Sequence, residues 1–353
     1  LPDLRLTDLR KSFPNGTVGL HPTTIQISTG AYFVLLGPSG SGKTTLLRLI
    51  AGLETPDGGT IHFGDRRVHA LPPHQRQIAF VPQRSALYPD RDVRGNVRAG
   101  LEFEQPHRPR AERLTDRQIN SRVDEAAELL RIGTLLKNRP HELSGGEQRR
   151  VMLARALVRR AEIWLLDEPL SQLDSPLAEK LSQDLHLLQR QFRHTIIQVT
   201  HDPIEAMALA DRLGMLGGGR ILQTGSPEEV YVLPSSRTVA LHLGRPSINF
   251  IEGQADGTTF AGGWLKVPCP HRGPVTLGIR PEDVSFVPAD GFVAVGEAQV
   301  AGNQRMDARL LVKVQEGDAE IRGFAPETMA GRLTVFARMS RLHWFDQRSG
   351  ERL

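Results

Sequence analysis

The octapeptide Gly37-Pro38-Ser39-Gly40-Ser41-Gly42-Lys43-Thr44 constrains this chain more than any other stretch. It follows the apolar run Tyr32 to Leu36 and opens the segment Thr44 to Ala51, which carries Leu46, Leu47, Leu49 and Ile50. The first run predicts a buried strand and the second a helix. Glycines between the two let backbone N–H groups turn inward without side-chain clash, and the helix contributes its positive end. A loop in that context cradles phosphates. Lys43 then reaches the β- and γ-phosphates of a nucleotide, and Thr44, with Thr45 beside it, is placed for Mg²⁺ and phosphate oxygens. A merely flexible glycine turn would not need these flanks. The consequence for the fold is α/β.

Other stretches supply the rest of such a site. Ile163-Trp164-Leu165-Leu166-Asp167-Glu168 is an apolar strand ending at two acids. In an extended strand end the two side chains point differently. Asp167 serves the metal, and Glu168 faces the water that attacks the γ-phosphate, orienting it and accepting its proton. Leu143-Ser144-Gly145-Gly146-Glu147-Gln148 opens a helix expected over Glu147 to Val158, with Ser144 as its cap. Its hydroxyl and exposed N–H groups form a second phosphate sensor, one with no place in the glycine loop's own pocket. His201 follows a strand expected over Thr195 to Val199 and is placed for the γ-phosphate, and Asp202 to Ala210 begins a helical pattern. Gln83, in Val81-Pro82-Gln83, is a neutral side chain suited to Mg²⁺ or the attacking water. Asp174 taken alone is a helix cap, and Phe13 taken alone is core; an aromatic there also suits stacking on adenine. Ser121 to Leu136 carries helical spacing.

The chain has 353 residues, enough for two or three domains. Its formal charge is +4, and the basic pairs Arg66-Arg67, Arg149-Arg150 and Arg159-Arg160 are scattered, which reads mostly as solvated surface and not as a nucleic-acid footprint. Cys269 is the one cysteine, so no intrachain disulfide forms. No apolar run is long enough for a membrane helix, and the opening Leu-Pro-Asp-Leu-Arg-Leu lacks a signal-peptide layout. The expectation is a chain that neither crosses a membrane nor is exported, and that docks onto a membrane protein if it meets one. After about residue 240 the period becomes two: Val275, Leu277, Ile279; Leu310, Val312, Val314; Val335, Ala337, Met339. Separated by turns, these predict a small β-barrel-like domain.

On these residues the chain resembles the ATPase subunit of an ATP-binding-cassette (ABC) importer, in the branch of the maltose importer ATPase. Residues 37–44 match the Walker A motif, Gln83 the Q-loop, 143–148 the signature motif, 163–168 Walker B, 171–174 the D-loop and His201 the switch histidine. Phe13 matches the aromatic A-loop. Gln172 stands where Asn is usual, and Pro82 where Phe is common. Ala86-Leu87-Tyr88-Pro89, Asp167-Glu168-Pro169-Leu170-Ser171, Leu71-Pro72-Pro73, Gly244-Arg245-Pro246-Ser247-Ile248-Asn249-Phe250 and Gly278-Ile279-Arg280-Pro281-Glu282-Asp283 resemble the sugar and glycerol-phosphate importers.

The resemblance implies a P-loop NTPase (ABC ATPase) domain over 1–235 with a helical subdomain at about 84–160. A C-terminal all-β regulatory domain of the OB-fold type follows over 236–353. It implies ATP and Mg²⁺ as cofactors and a head-to-tail homodimer. Each ATP would lie between the Walker motifs of one subunit and Ser144, Gly145, Gly146 and Glu147 of the other. Gln83 would link the γ-phosphate pocket to the helical subdomain, which docks on transmembrane permease subunits. Asp174 would communicate across the dimer. An extracytoplasmic solute-binding protein is the indirect partner, and no nucleic acid is expected. The chain would sit peripherally on the cytoplasmic face of the inner or plasma membrane. Sugar or glycerol phosphate is the solute favoured by the branch; a metal-ion, polyamine or sulfate importer is the alternative, an exporter or a non-transport ABC protein less so.

Overall fold

The computed structural model describes residues 1–353 other than Leu1, Ser85, Glu104, Arg108, Arg160, Gln172, Asp174 and Asp307, and the side chains of His107 and Glu112. The expectation for Asp174 and the departure at Gln172 therefore lie outside the described residues. By its contacts the chain divides into two compact units, Leu1–Pro227 and Glu228–Leu353.

The first unit carries, in order, β1 (Leu4–Ser12), β2 (Val18–Ile27), β3 (Tyr32–Leu36), α1 (Lys43–Ala51), β4 (Gly58–Phe63), β5 (Arg66–Arg67) and β6 (Ile78–Val81). Then come α2 (Val93–Glu102), α3 (Asp116–Leu129), α4 (Gly145–Leu157), β7 (Ile163–Asp167), α5 (Ser175–Phe192), β8 (Thr195–Thr200), α6 (Pro203–Leu209), β9 (Arg212–Gly217) and β10 (Arg220–Gly225). A six-stranded sheet runs in the order β10-β9-β3-β8-β7-β6, parallel from β9 to β6 with β10 as an antiparallel edge. β3, β7 and β8 are buried at every residue, as strands covered on both faces must be. Four antiparallel strands, β2-β1-β4-β5, form a second sheet. Leu6, Ile27, Leu35, Leu47, Ile61 and Leu165 belong to one apolar core.

The register explains the site. Leu36 pairs with Thr200 and with Met215, and Asp167 pairs with Val199. Three parallel strands thus end at one edge of the sheet. The glycine loop after β3, the acids ending β7 and His201 after β8 all leave from that edge, where α/β sheets bind their ligands. α1 is fixed from its far end. The buried Arg76 donates to the carbonyls of Leu49 (2.7 Å) and Ile50 (2.8 Å), a cation at a helix C-terminus.

Helix boundaries differ most from expectation at α3, while α4 runs over Gly145–Leu157 where Glu147 to Val158 was expected. α3 begins at Asp116, not Ser121, because Thr115 and Gln118 form a capping box. It stops at Leu129, not Leu136, because Arg131 takes a left-handed φ of 53° and the chain then turns. α4 packs against α2 and α3 in the segment between β6 and β7.

The second unit opens with α7 (Pro227–Val232, shared with the end of the first) and α8 (Arg237–Leu241). Ten strands follow: β11 (Asn249–Asp256), β12 (Thr259–Gly262), β13 (Leu265–Pro268), β14 (Arg272–Ile279), β15 (Val284–Ser285), β16 (Phe292–Met306), β17 (Arg309–Glu316), β18 (Ala319–Ala325), β19 (Arg332–Arg338) and β20 (His343–Asp346). They make two five-stranded antiparallel sheets, β13-β12-β11-β14-β20 and β15-β19-β16-β17-β18. The alternating residues face one shared core: Val275, Leu277 and Ile279 from the first sheet meet Val312, Val314, Val335 and Ala337 from the second. Met339 falls just past the end of β19, in a short 3₁₀ turn, and is only partly buried.

Candidate functional site

The glycine loop has the shape its glycines allow. Gly40 and Gly42 have φ of 76° and 100°, in the left-handed region. A Cβ on Gly37 would lie 2.2 Å from the Leu216 carbonyl oxygen, so only glycine fits there. Lys43, the first residue of α1, is 5% exposed and donates to the carbonyls of Gly37 and Pro38, both at 2.8 Å. Burial pushes its ammonium pKa down; Glu168 and Asp167 pull the other way. Ser41 Oγ is buried with no hydrogen-bond partner among the described residues. Ser39 and Gly40 are exposed.

Thr44 Oγ1 donates to Asp167 Oδ1 at 3.1 Å. Burial pushes the Asp167 carboxyl up, Thr44's bond opposes this, and the Glu168 charge adds to it. A hydroxyl and a carboxylate oxygen therefore meet at the start of α1, the ligand chemistry that hard cations take.

Glu168 is not an extended strand end. Its φ is 45°, a left-handed conformation uncommon outside glycine, which corrects the extended reading of the Asp-Glu pair. The main chain is held there from several sides. Glu168 N–H donates to Val199 O at 3.0 Å, and Ser171 Oγ donates to Glu168 O at 2.8 Å. The turned side chain meets both flanking polar groups. Gln83 Nε2 donates to Glu168 Oε2 at 2.7 Å, and His201 Nδ1 lies 3.2 Å from Glu168 Oε1. The Glu168 side chain is 14% exposed and that of His201 53% exposed, so the cluster opens outward through the histidine.

Ser144 caps α4 in a reciprocal box with Glu147. Its Oγ accepts from Glu147 N–H at 3.3 Å, while its own N–H and Oγ donate to Glu147 Oε2, each at 2.8 Å. The serine proton is thus committed to its own helix. Gly145 is exposed. Gly146 is buried, and a Cβ on it would lie 2.0 Å from Leu177 Cδ2, so its smallness serves the packing of α4 on α5. Phe13 stands beside the loop. A Cβ on Gly19 would meet Phe13 Cε2 at 2.6 Å and Thr45 Cγ2 at 3.1 Å, so ring and helix start share one neighbour. Lys11 Nζ lies 5.7 Å from the Phe13 ring centre.

The chain is similar to known proteins over its full length. An ABC transporter family model matches residues 20–171. The sn-glycerol-3-phosphate import ATP-binding protein UgpC 3 of Rhizobium etli is 38% identical, over 99% of this chain and 99% of the relative. The chain belongs to the ABC transporter ATP-binding family. The sulfoquinovosyl glycerol transport ATP-binding protein SmoE of Agrobacterium fabrum is 40% identical over 91% of both chains. Among solved structures, the ATP-binding cassette MJ0796, described as a dimer in a post-hydrolysis state bound to ADP and Pi, superposes with a TM-score of 0.58 at 28% identity. That match covers 64% of this chain and 98% of MJ0796. The chain is therefore a P-loop ATPase that binds and hydrolyses ATP.

Two charged residues beside the Glu168 cluster escaped the sequence reading. Arg149, grouped there with solvated basic pairs, is 4% exposed and lies behind Gln83 and Glu168. Arg66 and Arg67 are exposed, as expected. Glu205 accepts from Thr200 Oγ1 and Gln198 Nε2, and Gln198 Oε1 in turn accepts from the buried Tyr32 hydroxyl at 2.6 Å. Burial pushes the Glu205 carboxyl up from 4.5 to about 7, with the Asp202 and Glu168 charges adding. For Glu205 the only signal was its place three residues past Asp202, which caps α6.

Proposed function

We propose that this ATPase powers solute import as a head-to-tail homodimer. The observation that carries the reading is the convergence of Gln83 and His201 on Glu168, at the sheet edge where Lys43, Thr44 and Asp167 also meet. Glu168 holds and polarises the attacking water and takes its proton; His201 and Gln83 set the direction of that carboxylate. The loop from Pro38 to Thr45, through Lys43 and its N–H groups from Ser39 onward, binds phosphate oxygens, and Ser41 Oγ, buried and without a partner among the described residues, suits the same role. Phe13 stacks on the base. Thr44, Asp167 and Gln83 hold Mg²⁺, which when bound neutralises charge on the β- and γ-phosphates. Ser144, Gly145, Gly146 and Glu147 meet the nucleotide of the partner subunit, and Asp174 carries signals across the dimer.

The region over about 84–160 receives the membrane partner. A cavity of about 340 Å³ runs between α1, β6, α2 and α4, lined among others by Leu53, Ile78, Tyr88, Phe103, Met152 and Arg155. Tyr88 and Phe103 are exposed, an apolar floor suited to a helix of a permease subunit. Among the described residues no helix is long and apolar enough to cross a membrane. The chain attaches through such a partner at the cytoplasmic face. The 236–353 region serves as the regulatory domain. The names of the relatives favour glycerol phosphate or a sugar as the solute, delivered by an extracytoplasmic binding protein.

Hydrolysis and ATP-dependent dimerisation of wild type and Glu168→Gln test this reading. The variant should retain ATP, lose turnover by about 10²–10⁴-fold and accumulate as a dimer. Unchanged turnover, or an ATP-loaded monomer, would sink it.

A further inference from the structure

We propose that Arg149 is a positioning residue that fastens the Ser144 helix to the Gln83–Glu168 pair, so that a displacement of one is felt by the other. Its guanidinium bonds three carbonyls on two segments distant in sequence. Nη1 donates to Pro82 O at 2.6 Å; Nη2 donates to Gln83 O at 2.8 Å and to Glu168 O at 3.0 Å. The side chains of those last two residues bond each other directly at 2.7 Å. Arg149 therefore holds the backbone of both members of the pair that carries the chemistry.

Its other end is in α4, little more than a turn from Ser144. The intervening turn is tied at both of its ends: it has a reciprocal cap, and Gly146 packs closely on Leu177. A shift of Ser144 on meeting a phosphate moves this turn as a unit, and the guanidinium with it. Glu168 amplifies the effect, because its left-handed φ of 45° is kept by the donors on its carbonyl and by its own N–H.

Burying a charge on neutral carbonyls alone is expensive for packing, and an apolar residue of similar volume would fill the space at less cost. Burial indeed opposes the guanidinium charge, while Asp167, Glu168 and Glu205 favour it from nearby. What an apolar residue could not supply is a planar fork that bonds several carbonyls at once. A lysine ammonium at the same place could hold one or two without fixing their relative positions.

This inference rests on the proposed roles of Glu168 and Ser144. Its test compares wild type, Glu168→Gln, Arg149→Lys, Arg149→Gln and the double variant Glu168→Gln/Arg149→Lys. Steady-state hydrolysis, binding of a fluorescent ATP analogue, ATP-dependent dimerisation and thermal melting are measured for each. Arg149→Lys should lose at least tenfold in kcat with KM and analogue affinity within twofold of wild type, and the double variant should still be trapped as a dimer. Arg149→Gln should behave likewise. Wild-type kcat in Arg149→Lys would overturn the inference. So would a joint loss of kcat, nucleotide affinity and melting temperature, since Arg149 would then merely maintain the fold. Turnover that survives Glu168→Gln would instead break the reading beneath it.

Discussion

Both units of the chain bury guanidinium groups on backbone carbonyls: Arg76, at the end of α1, and Arg149 in the first, Arg280 in the second. Arg149 in the first is 4% exposed, and Arg280 in the second 2%. Arg280 donates to Leu243 O at 3.0 Å and Tyr231 O at 2.9 Å, and its charge lies 3.5 Å from the centre of the Tyr231 ring. By burial and bonding the two are alike. They differ in what they fasten. The carbonyls on Arg149 belong to Pro82 and to Gln83 and Glu168, and the side chains of the last two meet at an open cluster. Those on Arg280 belong to Leu243, which is fully buried, and to Tyr231, whose hydroxyl donates to Glu282. A buried charge is thus no mark of function by itself; the groups it immobilises decide.

The largest effect that could break this comparison comes from Arg280→Met. It strips two carbonyls of their donors and removes the ring contact, a loss of roughly 3–5 kcal/mol from the second unit. Chemical denaturation should show that unit unfolding at lower denaturant, while kcat at saturating ATP stays within twofold. A tenfold fall in kcat with the stability intact would make Arg280 a working part of the ATPase and erase the distinction drawn from Arg149.

That distinction was only half legible in the sequence. The strand, glycine loop and helix of 32–51 follow from local patterns, since apolar runs and glycines act on their own neighbours. So do the Ser144 cap and the period-two stretches of the second unit. Arg149 was not legible, because its partners lie 66, 67 and 19 residues away and nothing beside it differs from the exposed Arg66 and Arg67. The turn at Glu168 was also hidden. The apolar run predicts extension, and the left-handed φ comes from bonds made by Val199 and Ser171. Gly146 was read as exposing backbone, and it also yields space to Leu177, a contact that no periodicity reveals.

A buried charge of the opposite sign sharpens the comparison next. Glu205 is braced by Thr200 and Gln198, and burial pushes its carboxyl from 4.5 to about 7. In the second unit Asp283 is pushed up by burial as well, with Arg338 3.7 Å away. The sign for Glu205 follows from proton counting. Between pH 4.5 and 7 the folded chain keeps a proton that the unfolded chain has released. Its contribution to stability is full below the unfolded value and is lost as pH rises through the folded one. Glu205→Gln abolishes that titration, whatever constant offset the amide introduces. Relative to wild type, the variant should therefore gain about 2–3 kcal/mol on going from pH 5 to pH 8. Urea melts at the two pH values measure it; a difference that does not change with pH would mean that Glu205 stays ionised on its donors.

The smallest effect concerns the half of the site that faces outward. Lys43, Thr44 and Asp167 are tied to each other or to the loop, whereas Ser144 is tied to Glu147 on its own helix. That bond is the first cause holding the Glu147 carboxyl below its ordinary range, so the charge persists at neutral pH. A carboxylate at the start of α4 stabilises the helix dipole, and it also repels a phosphate arriving there and occupies the serine proton. The cap and the proposed contact with the partner's nucleotide therefore compete for one donor. Glu147→Gln keeps an acceptor for Ser144 while removing the charge. ATP-dependent dimerisation should tighten about threefold to fivefold, the size expected of one partly exposed charge at a helix terminus. The gain should shrink as salt is raised, because screening already weakens the repulsion in wild type. Sedimentation of the Glu168→Gln background with and without the second change reads both trends. Weaker dimerisation in the double variant would mean that the carboxylate itself makes a contact across the interface, and the competition would be the wrong description of this helix start.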